Sequence, residues 1–425
     1  MSPRRASGRT GLRALRVFSR LGPGLITGAA DDDPSGIATY SQAGAQFGVN
    51  MLWTVALTYP LMVAIQSISA RIGRVTGHGL ATNLAQVFPR PLVMALAFLL
   101  FVANTINIGA DLAAMGAAGR LVSGLDQHAL TLGFAALSLI LQVLVPYHRY
   151  VSILKWLTMS LFAYVAVVFT VRIDWAEVAL RTVWPRLPGE GWIVVVVGLF
   201  GTTISPYLFF WQSSEEVEDE EARHERPLIR DGRRAKAELR RIEWDTIVGM
   251  GVSNLIAFFI ILTTAVTLHA HGLTDIQTSE QAAAALRPVA GEFAFVLFAL
   301  GIVGTGLLGV PVLAGSVGYA VGELGGWTCG LEYKPREAVR FYAVIVVAVV
   351  LGLVVDYSGL DPIKALFWSA VINGVISVPI MAAMMVVASR RHELGRFVAS
   401  RVQVVFGWAA TAIMAIAVAA MFLAR

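Results

Sequence analysis

The sequence predicts an all-α protein that crosses a membrane many times, built as two five-helix halves of opposite orientation. Three observations predict it. Charged residues make up only 14% of the chain against 56% hydrophobic, where a soluble domain carries about 25% charged. Basic residues alternate in density along the chain in step with a count of eleven apolar segments. Two of those segments break at proline beside polar residues, each at the start of one half.

The mean hydropathy is +0.69, and runs such as Ile193–Ile204 and Phe341–Val355 are too apolar for a water-facing surface. A span needs ~20 apolar residues to cross about 30 Å of hydrocarbon. By that measure the spans fall at 21–46, 50–70, 91–119, 129–146, 150–171, 191–217, 244–268, 289–320, 339–355, 361–388 and 402–424. No cleavable signal peptide is evident before the first of them.

Lys and Arg set the orientation, because positive residues stay on the cytosolic side. With the N-terminus inside, the basic tail (Arg4, Arg5, Arg9, Arg13, Arg16, Arg20), then Arg71, Arg74, Arg90 and the cluster from Arg223 to Arg241, are all cytosolic. Only Arg120, Arg172, Arg181, Arg186, Arg287, Lys364 and Arg425 fall outside. A miscount by one span would destroy this bias. The expected layout is a cytosolic tail at 1–20, a first repeat at 21–171, a second at 191–388 and an extra C-terminal span at 402–424 with its end outside. Five spans is an odd number, so the second repeat is inverted. Inverted repeats that open with broken helices place a substrate site near the bilayer midplane. The expected location is a plasma membrane, or the inner membrane of a bacterium.

The net charge of +5 follows this topology and gives no reason to expect a nucleic acid. A single cysteine, Cys329, excludes an intrachain disulfide and a multi-cysteine metal site. No cofactor and no obligate protein partner is expected. The partners read from the chain are a divalent cation and the lipid bilayer, with the protein a monomer.

The first break reads Gly28-Ala29-Ala30-Asp31-Asp32-Asp33-Pro34-Ser35-Gly36. Pro34 lacks an N–H and disfavours helix at Asp33, so the helix opens there. The opened turn offers carbonyls, and Asp33 adds a hard oxygen ligand of the kind Mg²⁺, Ca²⁺ and Mn²⁺ prefer. Gly36 relaxes the backbone beside it. Three acids inside a span are costly and mark a functional site by default. Asp33 is the expected ligand, and Asp31 and Asp32 are expected to face a vestibule or to pair with other groups. The second break, Thr202-Thr203-Ile204-Ser205-Pro206-Tyr207, offers hydroxyls and a Thr202 carbonyl that Pro206 cannot satisfy. A proline kink repaired by hydroxyls is the competing reading.

These residues carry a family resemblance. Leu21-Gly22-Pro23-Gly24-Leu25-Ile26-Thr27-Gly28 with Asp33-Pro34-Ser35-Gly36 resembles the first span of the NRAMP divalent-metal transporters, whose motif is Asp-Pro-Gly-Asn. Gly201-Thr202-Thr203-Ile204-Ser205-Pro206-Tyr207 resembles their sixth, where Met-Pro-His is the rule. The likeness covers about 21 to 388. It implies the LeuT-type fold with helices 1 and 6 broken, and transport of divalent cations by alternating access. The expected metal site is Asp33, Gly36, Thr202, Ser205, Tyr207 and Asn373, the last lying where the family has a Gln nearby but not in register. The expected vestibule or relay residues are Asp31, Asp32, Asp111 and Gln212, of which Asp111 and Gln212 fall on family positions.

Departures from the family pattern narrow the expectation. The family's Asn falls on Gly36, its metal-binding Met on Ser205, and its two histidines on Tyr207 and Gln212. The acidic neighbour expected after Asp111 is Ala114. The thioether that favours softer metals is absent while the carboxylate stays. This pattern resembles the NRAMP-related magnesium transporters, and implies passage of Mg²⁺ or Mn²⁺ without obligatory proton coupling. The alternative is a proton-coupled Mn²⁺/Fe²⁺ importer of the main type.

Other polar positions are less specific. Asn104, Asn107 and Asp111 share one helix face, and Asn373 and Gln66 are polar positions inside spans; interhelical hydrogen bonding competes with a site role for all of them. Glu215 to Glu221 extends the sixth span as a charged helix. His269-Ala270-His271 has too few ligands for a metal. Glycines at 301, 304, 306, 309 and 315 read as close helix packing. An organic-solute carrier would aim its half-helices at a carboxylate, which the acidic triplet repels. An intramembrane aspartyl protease using Asp33 and Asp111 needs two carboxyls sharing a proton, and its Gly-x-Gly-Asp element is missing. No phosphate loop, HExxH motif or nucleophile elbow is present, so the chain is not expected to be an enzyme or an ATP-driven pump.

Overall fold

A computed structural model describes residues 27–28, 30–145, 154, 157–186, 189–357, 359 and 361–424. The tail at 1–20, the Leu21 to Ile26 and Ala29 parts of the first motif, much of 150–156, and Arg425 lie outside the described residues. All regular structure among the described residues is helical. The principal helices are α1 (Pro34–Phe47), α2 (Leu52–Thr76), α3 (Arg90–Ser123), α4 (Gln127–Leu144), α5 (Phe162–Val167), α6 (Trp192–Thr203), α7 (Pro206–Ala222), α8 (Ala235–Thr267), α9 (Ala294–Gly325), α10 (Val339–Asp356), α11 (Pro362–Ser389) and α12 (Arg401–Leu423).

The protein is an all-helical, multi-span membrane protein. Among the described residues eight helical stretches are long and apolar enough to cross a bilayer, and two shorter apolar helices, Thr158–Val167 and Val339–Val354, lie on the fifth and ninth expected spans. One stretch, Pro34–Thr76, covers two expected spans, because Gly48 at φ +60° ends α1 and a short 3₁₀ turn, Gly48–Met51, leads into α2. Large apolar side chains such as Phe98, Ile140, Val347 and Ile416 are exposed on the outer helix faces, where lipid tails rather than water are their solvent.

Both expected breaks are present. Residues 30 and 31 are helical, Asp32 is a bend, and Asp33 is extended (φ −67°, ψ 171°) before α1 restarts at Pro34. Ser205 is likewise extended (φ −75°, ψ 131°) between α6 and α7. Proline alone does not open a helix here, since Pro60, Pro311 and Pro379 lie inside continuous α2, α9 and α11. The two opened positions differ in having a short polar side chain immediately before the proline, able to bond the freed backbone.

Close contact of helices gathers the breaks. α1 packs on α6, α8 and α11, and α3 packs on α9, α10 and α11. At the α6–α11 crossing a Cβ on Gly201 would lie 2.0 Å from the Ala370 carbonyl oxygen, so only glycine permits that approach. The glycine row of α9 serves the same end: a Cβ on Gly306 would lie 2.4 Å from Met115 Sδ, and one on Gly309 would lie 3.0 Å from Asp33 Cβ. The acidic stretch after the second break continues α7 to Ala222. Its Glu216 pairs with Arg241 at 2.5 Å, and its Glu220 with Arg74 at 2.6 Å, tying α7 to α8 and α2.

Candidate metal centre

Asp33 is fully buried and caps α1 with its own carboxylate. Oδ1 accepts from the Ser35 hydroxyl at 2.6 Å and the Gly36 backbone N–H at 2.9 Å. Oδ2 accepts from the Tyr207 hydroxyl at 3.2 Å and the Asn107 side-chain amide at 3.3 Å. A carboxylate offers about four lone-pair sites, so each has a donor. Two donors are local to α1 and hold the carboxylate in place. The other two reach it from α7 and α3, on the face that a cation would share.

Asn107 is the bridge of the site. Its amide nitrogen donates to Asp33 and also to Asp111 Oδ2 at 3.1 Å, and its carbonyl oxygen accepts from Asn373 Nδ2 at 2.9 Å. Asp33, Asp111 and Asn373 are thereby joined through one amide although they stand on three helices. Asp111 Oδ1 and Asn373 Oδ1 are buried oxygens with no hydrogen-bond partner among the described residues, an arrangement costly to leave unsatisfied. Asn104, one turn earlier on the same face, instead donates to the Leu313 carbonyl at 2.9 Å and to Ser316 Oγ at 2.8 Å, an interhelical tie to α9. The Asn107 bridge separates Asp33 from Asp111, in contrast to the shared-proton carboxyl pair of an aspartyl protease.

The second break contributes differently from residue to residue. Tyr207 touches Asp33 directly. Thr202 lies against Gly36: a Cβ on that glycine would be 3.2 Å from Thr202 Oγ1 and 3.4 Å from the Asp31 carbonyl oxygen. Ser205 turns its hydroxyl back to the Thr202 carbonyl at 2.6 Å and the Gly201 carbonyl at 2.8 Å. It thus repairs the backbone opened by Pro206 while keeping lone pairs free to accept or ligate. Gln212 pairs through Oε1 with the Thr27 hydroxyl, tying α7 to the half-helix before the first break.

Asp31 and Asp32 are both buried and share one partner, Ser253 of α8, whose hydroxyl lies 2.7 Å from Asp31 Oδ2 and 3.0 Å from Asp32 Oδ1. One hydroxyl has one proton, so it donates to one acid at a time. A second bridge between the breaks links the Tyr40 and Thr203 hydroxyls at 3.2 Å. Ser35, Tyr40, Thr203 and Ser253 are not among the expected site residues. The first three sit in or beside the two motifs, whereas Ser253 is one hydroxyl in an apolar span and gave no pattern to read. His269 and His271 bond backbone carbonyls, His269 to Ala45 at 2.8 Å and His271 to Thr267 at 2.6 Å.

The donors around Asp33 are all oxygen and nitrogen groups, with no sulfur or imidazole among the contacts described. Among the described residues no group of three or more His, Cys, Asp or Glu side chains forms a ready ligand cage. An ion held here would combine one carboxylate with neutral oxygens and water, the manner in which Mg²⁺ is commonly bound and a set that Mn²⁺ also accepts.

Comparison with known proteins agrees with this architecture. A family model described as "Natural resistance-associated macrophage protein-like" (Nramp) matches residues 24–424. The chain is 28% identical over 409 residues to "Divalent metal cation transporter MntH" of Klebsiella pneumoniae, covering 93% of this chain and 91% of that one. It is 28% identical over 417 residues to the protein of the same name from Deinococcus radiodurans, covering 95% and 89%. Among solved structures, the Eremococcus coleocola manganese transporter superposes with a TM-score of 0.74 at 17% identity, covering 98% of this chain and 87% of that one. Mhp1, a nucleobase-cation-symport-1 family transporter, superposes with a TM-score of 0.54 at 14% identity, covering 95% and 92%.

Proposed function

The chain belongs to the Nramp family, and from that premise we propose that it moves divalent metal cations across the membrane by alternating access, with Asp33 as the central ligand. The observation that carries this is the convergence on one buried carboxylate of the first break, the second break through Tyr207, and α3 and α11 through Asn107 and Asn373. A doubly charged ion needs an anion in the low-dielectric interior, and Asp33 is the anion at the junction of both breaks. The likeness in fold to two solved transporters supports the LeuT-type plan: repeats at 21–171 and 191–388, the second inverted, with the span at 402–424 added. The distribution of Lys and Arg supports a cytosolic N-terminus and an external C-terminus in a plasma or bacterial inner membrane.

Manganese is the leading ion. The two MntH relatives are named as divalent metal cation transporters and the Eremococcus coleocola protein as a manganese transporter, and none of these three is named as a magnesium transporter. That favours the main type of Nramp importer, proton-coupled by family resemblance, over the magnesium branch expected from sequence. One feature of the site keeps magnesium as the second reading. Ser205, Gly36 and Tyr207 bring no thioether or imidazole to Asp33, and hard oxygen ligands do not separate Mg²⁺ from Mn²⁺ by softness. The same reading has no stoichiometric proton movement, because Tyr207 and Gln212 do not titrate near neutral pH.

Proteoliposomes holding the purified protein, a Mn²⁺-reporting dye and an internal pH dye test both readings. Mn²⁺ uptake with parallel acidification establishes the first. Mn²⁺ uptake suppressed by Mg²⁺ at comparable concentration, without acidification, establishes the second. Absence of any divalent flux under an imposed gradient overturns the proposal.

A further inference from the structure

A second feature, on the outer face of the bundle, shares no lining residue with the site around Asp33. A cavity of about 650 Å³ opens between α3, α9 and α10. Its walls are apolar, from Met94, Phe98 and Phe101 of α3, Val321 and Leu324 of α9, and Val344 and Val347 of α10. Arg90 and Arg340 are the charged groups among the described lining residues, and no carboxylate joins them. Both arginines are exposed. Arg340 is held with its guanidinium carbon 5.5 Å from the ring centre of Trp327, which also lines the cavity. That contact fixes the cation in place.

The polar and apolar ends are separated along the helices. Arg90 begins α3 and Arg340 lies at the start of α10, while α9 ends at Gly325, so both arginines sit at one end of the bundle. Phe101 lies eleven residues into α3, roughly 16 Å from Arg90 at 1.5 Å per residue. Val347 is seven residues beyond Arg340, roughly 10 Å deeper. One leaflet of hydrocarbon is about 15 Å thick. The cavity is therefore one leaflet deep, with two cations at the level of the headgroups and an aromatic side chain at the interface.

We infer that this groove is a binding site for one anionic glycerophospholipid of the leaflet next to Arg90, with its phosphate between Arg90 and Arg340 and an acyl chain along Met94, Phe98 and Val347. Any bilayer lipid can wet an apolar groove. The two arginines, with no carboxylate among the described lining residues, select for negative headgroups, since a basic residue near the membrane surface attracts anionic lipid. A chain in the groove would brace α10 against α3 and α9, the helices that carry Asp111 and Gly309.

Native mass spectrometry of the full-length protein in mild detergent tests this, with phosphatidylglycerol and phosphatidylcholine of identical chains and with inorganic phosphate as competitor. The expected result is one retained phosphatidylglycerol, preferred over phosphatidylcholine, and weakened on the order of tenfold in the Arg90→Gln/Arg340→Gln double variant. Ala343→Phe, on an exposed wall position, should expel the lipid whatever its headgroup. Equal retention of both lipids, an unchanged double variant, or full displacement of phosphatidylglycerol by phosphate overturns the inference. Lipid counting needs no metal, so failure here leaves the transport reading standing.

Discussion

The Tyr207 hydroxyl donates to Asp33 Oδ2 across 3.2 Å, joining two helix breaks that lie 174 positions apart in the chain. In the proposed site neither break suffices alone: the first has the charge, and the second brings hydroxyls and opened backbone to it. Asn107 closes the third side, and its two contacts hold Asp33 and Asp111 at a fixed separation without direct contact.

Asp33→Asn should abolish transport while leaving insertion intact. The amide keeps the size of the carboxylate and can still accept from Ser35 and Gly36, but it removes the negative charge. Loss of a group supporting a metal ligand costs about 10- to 100-fold, so loss of the ligand itself should reduce Mn²⁺ flux by roughly 100-fold or more. Flux in proteoliposomes and elution of a monodisperse peak are the two measurements. Flux near that of the unmodified protein overturns the assignment.

Asn107→Leu tests the bridge. The substitution removes the donor between two buried carboxylates and leaves Asn373 without its acceptor. Metal affinity should fall about 10- to 100-fold, the range for groups that orient a ligand. Isothermal titration with Mn²⁺ reads it directly. An unchanged affinity would show that Asn107, like Asn104, only ties helices together.

The breaks were legible in the sequence because proline, acid triplet and hydroxyls are local signals. Their meeting was not local, and rests on glycines whose value depends on what lies opposite them. Gly309 reads as a packing residue in sequence, yet what it packs against is Asp33. Asn104, Asn107 and Asp111 were correctly placed on one face by helical periodicity, but periodicity does not say which of the three turns toward Asp33. Ser253 had no signal, since one serine inside an apolar span is ordinary. The repair of the second break by Ser205 was visible as a chemical possibility, and the structure shows the bond. Prolines at 60, 311 and 379 would have been equally good candidates by residue type alone, and they leave their helices continuous.

Gly309→Ala should impair transport without removing a polar group. The added Cβ would sit 3.0 Å from Asp33 Cβ, tighter than ordinary contact, so α9 or the first break must shift. Overpacking of this kind costs about 1–3 kcal/mol. A lowered melting temperature together with several-fold reduced Mn²⁺ flux is expected. Unchanged flux would mean that Asp33 has freedom to move away from α9.

Cys329 should be a slow thiol at neutral pH. It lies in the loop after α9, where burial, with Glu323 and Glu218 nearby, pushes its pKa up to about 12. Its Sγ donates to the Trp327 carbonyl at 3.3 Å. The thiolate is the reactive form, so maleimide labelling at pH 7 should be on the order of a thousandfold slower than for a free thiol of pKa about 8.5. The rate should keep rising with pH well beyond 9. Labelling at the speed of a free thiol at pH 7 would contradict the half-buried setting of Cys329.

Ser205→Met addresses ion choice. The wild-type hydroxyl bonds the Thr202 and Gly201 carbonyls, and a thioether cannot donate to either. The variant should therefore lose about 1–3 kcal/mol of stability from a buried carbonyl left unsatisfied. In exchange, a polarizable sulfur stands beside the second break, and soft ligands disfavour Mg²⁺ more than Mn²⁺. Competition of Mg²⁺ against Mn²⁺ uptake should weaken several-fold relative to the unmodified protein. Adding Gly36→Asn brings a Cβ 3.2 Å from Thr202 Oγ1 and 3.3 Å from Tyr40 Cε2, so the double variant needs both side chains to give by a few tenths of an ångström. The single variant is the cleaner test. If its Mg²⁺ competition equals that of the unmodified protein, Ser205 does not face the ion, and its hydroxyl serves only to mend the helix.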